Sequence, residues 1–237
     1  MVEQVWSRAR TAARIDRLIV ATDDERIQRA AESFGAEVMM TSTMHASGTD
    51  RVAEVVRRLS PAQSSGTRVV VNIQGDEPLI TPTALDRLVA AFDAEPPPRM
   101  ATLAEPIATA DELFDPNVVK LVAAADGRAL YFSRAPIPYH RGSSSKLRPD
   151  YREALTERPG GLGGYRKHQG IYAYDADTLL ELTRLGPSPL EQDEGLEQLR
   201  ALQAGFSIQV VDSDFRSLSV DEPADLERVA QVLPGVN

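Results

Sequence analysis

The stretch Val71-Asn72-Ile73-Gln74-Gly75-Asp76-Glu77-Pro78 predicts a strand that ends in an acidic turn. Its first half continues an apolar, β-branched run that begins at Val69, and such runs favour strands. Thr81 and Pro82 then supply an N-cap and a first-turn proline for a helix. This order indicates one unit of an α/β sheet, with polar groups at the strand's carboxyl end, where such sheets bind ligands.

The same alternation extends from this unit back to the beginning of the chain. Apolar runs at residues 17–22 and 37–41 predict two further strands, each followed by apolar residues at helical spacing. Strands that alternate with helices indicate a parallel sheet covered on both faces, because each crossover must pack back onto it. We therefore expect residues 1–98 to form a doubly wound, mostly parallel, nucleotide-binding half.

The alternation weakens beyond the prolines at 96–98. Short turns separate the next strand-like runs, which predicts a smaller mixed or antiparallel lobe on the same sheet. The polar, glycine- and serine-rich residues 141–164 are expected to form a mobile excursion outside the core. The elements predicted in this half are strands at 100–105, 118–123, 129–133, 170–174 and 207–211, and helices at 175–185, 189–204 and around 226–233.

Composition limits the classes of function that this chain can have. Its 237 residues can bury a sizeable core, and we expect a single domain, 1–237, with two unequal halves. With 35 acidic and 26 basic residues the net charge is −9, which argues against a nucleic-acid partner. Cysteine is absent, and the apolar runs are too short to insert into a membrane or to act as a secretory signal. We expect a cytoplasmic protein.

Two carboxylates stand out as candidates for a metal site. Gln74 and Asp76 follow a buried strand, and Mg²⁺ prefers hard oxygen donors and often bridges to substrate phosphates. Asp221 lies two residues before Pro223, so the N-cap of the following helix would be Glu222 and capping explains Asp221 poorly. Turn aspartates also bond to local backbone amides. The residues predict either a Mg²⁺ site at Asp76 and Asp221 or two structural turns.

Other polar side chains could bind an anion or a sugar. Residues 45–51 enter a helix N-terminus, where backbone amides attract anions and small residues allow close approach. Arginine binds carboxylate and phosphate with two parallel hydrogen bonds, and histidine can donate to a sugar hydroxyl. On residue type alone, capping, structural or solvated roles are the commoner ones. The candidates are Ser47, Gly48, Arg51, Lys120, Arg134, Arg141, His168, Glu197 and Gln198.

Several motifs occur in one order along the chain and are more specific than any single residue. They are Ile-Val-Ala-Thr-Asp-Asp (19–24), Ser-Gly-Thr-Asp-Arg (47–51), the stretch at 71–78, Ala-Leu-Tyr-Phe-Ser-Arg-Ala-Pro-Ile-Pro (129–138), Ser-Pro-Leu-Glu-Gln (188–192) and Leu-Glu-Gln-Leu-Arg (196–200). From Met1 to the last predicted helix, the chain closely resembles the 3-deoxy-manno-octulosonate (Kdo) cytidylyltransferases, also called CMP-Kdo synthetases. The resemblance implies a nucleotide-diphospho-sugar transferase-like, Rossmann-like fold.

The resemblance also implies a reaction, a cofactor and a set of site residues. The reaction is Mg²⁺-dependent attack of the Kdo anomeric hydroxyl on the α-phosphate of CTP, which gives CMP-Kdo and pyrophosphate for lipopolysaccharide assembly. A homodimer is implied, with residues 99–237 as the sugar-binding and dimerisation half. The implied residues are Asp76 and Asp221 for the metal, Ser47, Gly48 and Arg51 for the nucleotide, Gln74 and Lys120 near the reacting groups and phosphates, and Arg134, Arg141, His168, Tyr172, Glu197 and Gln198 for Kdo.

The chain departs from the family pattern at its beginning. Members open with a strand and a phosphate-gripping loop, and Met1 to Val5 align with the helix after that loop, so a βα unit of roughly 30 residues is expected to be missing. The long stretch 141–164 is a second departure. The alternatives are a cytidylyltransferase for another acidic sugar, 8-amino-Kdo or sialic acid, and a non-catalytic protein that binds the sugar or nucleotide.

Overall fold

Strands and helices alternate in the first part of the chain, and strands dominate the middle. The computed structural model describes residues 1–59, 68–141, 151–157, 160–218, 220, 229 and 231. The strands are β1 (Ile19–Thr22), β2 (Glu37–Met40), β3 (Val69–Asn72), β4 (Met100–Pro106), β5 (Lys120–Ala123), β6 (Ala129–Ser133), β7 (Arg166–Asp175) and β8 (Ile208–Asp212). The helices are α1 (Val2–Ala9), α2 (Glu25–Ser33), α3 (Gly48–Arg58), α4 (Pro82–Ala90), α5 (Ala110–Phe114), α6 (Tyr151–Thr156), α7 (Ala176–Leu182), α8 (Pro189–Glu194) and α9 (Gln198–Gln203).

Local side chains fix where the early helices begin. Ser47 caps α3 by accepting a hydrogen bond from the Asp50 amide, and Thr81 caps α4 through the Ala84 amide, with Pro82 at the first position. Such caps satisfy backbone amides that the helix itself leaves without a partner. The helix starts predicted at Ser47 and at Thr81 are confirmed.

The long strand β7 organises the larger sheet. It pairs antiparallel with β4 along one edge, whereas β3 and β5 share its other edge, at Tyr172–Asp175 and Arg166–Lys167 respectively. The carboxyl end of β3 and the beginning of β5 therefore face each other along β7. The acidic turn predicted to bind ligands follows β3 at this point.

The predicted α/β class is confirmed, and its strands pair in both parallel and antiparallel directions. Among the described strands, β1–β2 and β4–β8 are parallel, while the pairings of β7 with β3, β4 and β5, and that of β5 with β6, are antiparallel. The parallel β1–β2 pair forms its own two-stranded sheet. More of the described strand pairs are antiparallel than the sequence indicates, because β7 follows a long connection and returns between strands of both halves.

Helices cover both faces of the sheet. Leu85 and Leu88 of α4 pack with Leu103 and Ile171 on one face. Leu179, Leu199, Phe132 and Ile208 form the core on the other face, while Met100 and Ala104 of β4 point to that side. Because successive strand residues point to opposite faces, β4 contributes to both cores.

Three predictions of secondary structure are corrected within the described residues. Residues 151–156 form α6, whose Leu155 is buried against Leu113 and Tyr165, so this part of 141–164 belongs to the core. The predicted helix 189–204 is broken at Gly195, which adopts a left-handed conformation with φ of 61°. The strand predicted at 170–174 begins at Arg166. Residues 142–150, Asp221 and most of the predicted last helix lie outside the described residues.

The helices of this fold are short, and α3 has 11 residues. Within the described part of the chain, no helix is long and apolar enough to cross a bilayer.

Candidate active site

The acidic turn after β3 packs against the beginning of α3. A Cβ at Gly48 would lie 3.6 Å from Gln74 Nε2, which is an ordinary van der Waals distance, so the Gln74 amide lies beside the helix N-terminus. Within the turn, the Glu77 amide donates to the Gln74 carbonyl over 3.4 Å. The two predicted residues Gln74 and Gly48, from separate motifs, are thus neighbours.

Asp76 lies beside the chain segment that leads to the second predicted metal carboxylate. The Val220 amide donates to the Asp76 carbonyl over 3.1 Å, and Asp221 is the next residue in the sequence but lies outside the described residues. Mg²⁺ is commonly held by one or two carboxylates together with waters and substrate phosphates. The carboxylate oxygens of Asp76 and the amide oxygen of Gln74 are the kind of ligand that fits that ion. In the described part of the chain, no three His, Cys, Asp or Glu side chains form a metal-binding group.

Arg51 of α3 orders the loop after β1. Its guanidinium donates to Thr41 Oγ1 over 2.6 Å and to Asp23 Oδ2 over 2.8 Å. The hydrogen bond from Arg51 lowers the pKa of the Asp23 carboxyl. Arg51, predicted to bind the nucleotide, therefore links the ends of β1 and β2 at the base of this motif.

Glu197 connects the nucleotide motif to the predicted sugar motif. Ser47 Oγ donates to Glu197 Oε1 over 3.1 Å, and Thr49 Oγ1 donates to Glu197 Oε2 over 2.8 Å. The two partners lie about 150 residues away along the chain, at the beginning of α3. A carboxylate accepts up to about four hydrogen bonds, so Glu197 keeps acceptor sites for a ligand hydroxyl.

A small cavity lies at this junction. Its volume is about 30 Å³, and Thr49, Tyr172, Tyr174, Glu197 and Gln198 are among the residues that line it. One water needs roughly 10–15 Å³ and drug-sized ligands need about 300–1,000 Å³. The surrounding side chains must therefore move apart to admit a sugar acid.

The cavity contains a polar group whose hydrogen-bonding capacity is unused. Gln198 is 7% exposed, and its Nε2 has no hydrogen-bond partner among the described residues. Burial raises the pKa values of Tyr172 and Tyr174 well above the usual range, so both hydroxyls stay protonated. The site therefore offers neutral donors beside the Glu197 carboxylate.

His168 is held neutral between two aromatic rings. Burial lowers its pKa to about 3, and its ring lies 5.1 Å from the Phe132 ring and 5.2 Å from the Tyr172 ring. Thr102 Oγ1 contacts His168 Nε2 at 2.9 Å and the Ile171 carbonyl at 2.9 Å. Because the hydroxyl has one proton, and the carbonyl can only accept, we assign the proton of His168 to Nε2. Nδ1 is then an acceptor, whereas the sequence predicted a donor.

The two basic residues Lys120 and Arg134 hold backbone loops in this conformation. Lys120 is fully buried and donates to the carbonyls of Asp115 and Val118, and burial lowers its pKa to about 8. Arg134 donates to the carbonyls of Pro116, Glu194 and Gly195. Their predicted contacts to phosphate and to Kdo stay predictions. Arg141 is exposed at the end of a described stretch.

Sequence reasoning missed four residues that shape the site. Thr49 bonds to Glu197, Tyr174 lines the cavity, and Asp23 pairs with Arg51. The Glu194 carboxylate accepts from the Ser133 hydroxyl and the Arg134 amide. Tyr174 could have been found from its two-residue spacing to Tyr172, because alternate strand residues share a face. The local sequence carries no comparable signal for Glu194.

Known proteins that share one name are similar to this chain over nearly its full length. The cytidylyltransferase family matches residues 1–212. A 3-deoxy-manno-octulosonate cytidylyltransferase of Solibacter usitatus is 46% identical over 232 residues, which cover 98% of this chain and 83% of that protein. The protein of the same name from Syntrophotalea carbinolica is 47% identical over 236 residues, covering 100% of this chain and 89% of that protein.

Solved structures resemble the chain in the same way. A CMP:2-keto-3-deoxy-manno-octonic acid synthetase, solved in complex with CTP, matches with a TM-score of 0.82 at 37% identity, covering 98% of this chain and 86% of that one. A 4-diphosphocytidyl-2C-methyl-D-erythritol synthase matches with a TM-score of 0.58 at 15% identity, covering 98% and 87%. The first match confirms the nucleotidyltransferase-like fold, and the second shows a likeness of fold alone.

Proposed function

We propose that this chain transfers CMP from CTP to Kdo. The premise is that the chain belongs to the cytidylyltransferase family, and within it to the 3-deoxy-manno-octulosonate cytidylyltransferases. The Kdo anomeric oxygen attacks the α-phosphorus of CTP and forms a new P–O bond. The bond from that phosphorus to the oxygen bridging to the β-phosphorus breaks, pyrophosphate leaves, and the hydroxyl proton passes to solvent.

The observation that carries this proposal is the pair of hydrogen bonds from Ser47 and Thr49 to Glu197. It joins the nucleotide motif to the predicted sugar motif, and Gly48 in the same motif lies beside Gln74 of the acidic turn. Because these contacts are continuous, a nucleotide at the α3 N-terminus and a sugar acid beside Glu197 would meet close to Gln74. Transfer requires this proximity of the two reactants.

The sugar acid is proposed to lie against β7 and the beginning of α9. Glu197 and His168 Nδ1 supply acceptors for sugar hydroxyls, while Gln198 Nε2 supplies an unused donor for an oxygen of the sugar acid. Tyr172 provides a neutral, half-buried ring next to His168. Arg134 and Arg141 are proposed to reach the Kdo carboxylate after the site opens.

The nucleotide and its metal are proposed to occupy the other end of the site. Ser47, Gly48 and Arg51 would contact the nucleotide, and Lys120 is a weaker candidate for the phosphates. Asp76 and Asp221 would hold Mg²⁺, which when bound neutralises phosphate charge and orients the triphosphate. Gln74 would orient the reacting groups from the α3 side.

Three further features of the protein belong to this proposal. The CMP-Kdo product is proposed to serve lipopolysaccharide assembly, and the reaction is proposed to take place in the cytoplasm. The chain is proposed to act as a homodimer formed through its second half, residues 99–237, while residues 1–98 bind the nucleotide. Leu130, which is 60% exposed on β6, an edge strand of the described sheet, is proposed to lie in that interface.

Pyrophosphate release from CTP, Kdo and Mg²⁺ tests the proposal. It should be measured on this chain and on the chain extended by the N-terminal residues of one relative. Release that requires both CTP and Kdo supports the proposal, and absence of release from both chains contradicts it. Competition with 8-amino-Kdo and sialic acid distinguishes the acidic-sugar alternatives, and Kdo or CMP binding without turnover identifies a non-catalytic binding protein.

A further inference from the structure

A buried polar cluster lies behind the acidic turn, and the proposed function assigns it no role. Its members come from the turn itself, from β4, from β7 and from the segment after β8. Each is at most 9% exposed. They are Glu77, Glu105, Lys167, Gln169 and Ser217.

Ser217 is the centre of this cluster. Its amide donates to Glu105 Oε1 over 2.9 Å, and its carbonyl accepts from Lys167 Nζ over 3.1 Å. Its hydroxyl lies 2.8 Å and 2.7 Å from the two carboxylate oxygens of Glu77, to which it donates its one proton. The backbone and the side chain of Ser217 are therefore both fixed.

The surrounding groups hold Ser217 at considerable electrostatic cost. Lys167 pairs with Glu105 at 3.1 Å and with Glu112 at 3.3 Å, and Gln169 Nε2 donates to Glu105 and to the Phe215 carbonyl. Buried charges contribute little net stability, because desolvation offsets their attraction. A buried ammonium paired with the two carboxylates of Glu105 and Glu112 therefore indicates that the cluster fixes a geometry more than it stabilises the fold.

The geometry that the cluster fixes is that of the proposed metal site. Glu77 directly follows Asp76, and Ser217 lies three residues before Val220. The Val220 amide donates to the Asp76 carbonyl over 3.1 Å. One side-chain bond and one backbone bond thus join the acidic turn to the segment after β8. We propose that Glu77 and Ser217 are positioning residues that hold Asp76 against this segment and so set the metal affinity of the site. This inference rests on the proposed function, because that function supplies the metal.

Mn²⁺ titration followed by electron paramagnetic resonance, with CTP present, tests the inference without requiring turnover. Ser217→Ala and Glu77→Ala should each weaken Mn²⁺ binding about 10-fold, as the loss of partners behind metal ligands commonly does. The double variant should bind Mn²⁺ with the same affinity as the single variant that binds it less tightly, because both changes remove the same hydrogen bond. The Mg²⁺ concentration for half-maximal pyrophosphate release should rise by the same factor, with the KM for Kdo unchanged.

Two further variants separate positioning from other effects. Glu77→Gln keeps an oxygen that accepts from Ser217 and should retain Mn²⁺ affinity close to that of the unaltered chain. Ser213→Ala removes a hydroxyl from the same segment whose hydrogen bonds, among the described residues, stay within residues 213–215, and it should leave Mn²⁺ binding unchanged. Thermal unfolding of every variant identifies any that fail to fold. If Ser217→Ala fails to fold, the comparison of Mn²⁺ affinity between Glu77→Gln and Glu77→Ala tests the positioning role.

The outcomes distinguish this inference from the proposed function. Unchanged Mn²⁺ affinity in folded Ser217→Ala and Glu77→Ala overturns the inference and leaves the function standing. Loss of affinity in Glu77→Gln equal to that in Glu77→Ala overturns it as well, because the carboxylate charge would then be what matters. If the unaltered chain binds no Mn²⁺, the metal site of the proposed function fails, and the inference fails with it.

Discussion

The Thr49 hydroxyl donates to Glu197 Oε2 over 2.8 Å and so ties the first turn of α3 to the residue that precedes α9. Because Glu197 also accepts from Ser47, one carboxylate spans the boundary between the two halves of the domain. Removal of the Glu197 charge should therefore affect substrate use more than folding.

Glu197→Gln should lower kcat/KM for Kdo by roughly 10- to 100-fold, because a hydrogen bond to a charged group contributes about 1.5–3 kcal/mol. The KM for CTP should change less, since Ser47 can still cap α3. Steady-state kinetics with each substrate varied in turn measures both effects. Glu32→Gln, on α2, is the control, and equal losses in the two variants would remove Glu197 from the site.

Gln198→Met should leave the free energy of unfolding unchanged or raise it, because it removes a buried Nε2 that has no partner among the described residues. It should nevertheless lower kcat/KM for Kdo, since the sugar acid loses a donor. Urea denaturation and steady-state kinetics on the same preparation measure the two effects. A large destabilisation would show that the amide bonds within the protein.

Arg134→Lys should lower the free energy of unfolding by about 1–2 kcal/mol, because a lysine cannot reach the three carbonyls that the guanidinium contacts. Urea denaturation measures the change. Arg128→Lys is the matched control, because its exposed pair with Asp126 contributes at most about 1 kcal/mol. Similar values for the two variants would contradict the structural role of Arg134.

The pH dependence of stability should report the half-buried His168. Its pKa of about 3 in the folded protein lies below the ordinary value of 6.5, so the unfolded chain binds more protons between these pH values. Stability is therefore lost as the pH falls below about 6.5, with a slope from this group of up to about 1.4 kcal/mol per pH unit. His168→Gln should reduce that slope between pH 6.5 and 5 in urea denaturation, and an unchanged slope would place the ring in water.

Local signals predicted the first half of the fold well. Caps at Ser47 and Thr81, and the apolar run that forms β3, depend on neighbouring residues and so can be recognised in the sequence. The beginning of β7 could not be recognised, because Lys167 and Gln169 are polar residues that only become buried through distant partners. The break at Gly195 was likewise hidden by good helix-forming residues on either side.

The motifs indicated which segments form the candidate site, but not which contacts their side chains make. The motifs named Ser47, Gln74, Tyr172 and Glu197, and the structure brings their segments together. That Arg134 and Lys120 hold backbone carbonyls could not be foreseen, because the same side chains bind phosphates and carboxylates equally well. Which partner they contact depends on the loops at 115–118 and 194–195, whose paths the sequence does not reveal.

The most direct test of CMP transfer is the bond formed in the product. Kdo labelled with ¹³C at its anomeric carbon should be incubated with CTP, Mg²⁺ and this chain, and observed by ¹³C and ³¹P nuclear magnetic resonance. We predict a product whose anomeric carbon couples to one phosphorus, together with pyrophosphate. An anomeric carbon that shows no phosphorus coupling while CTP is consumed would contradict the account.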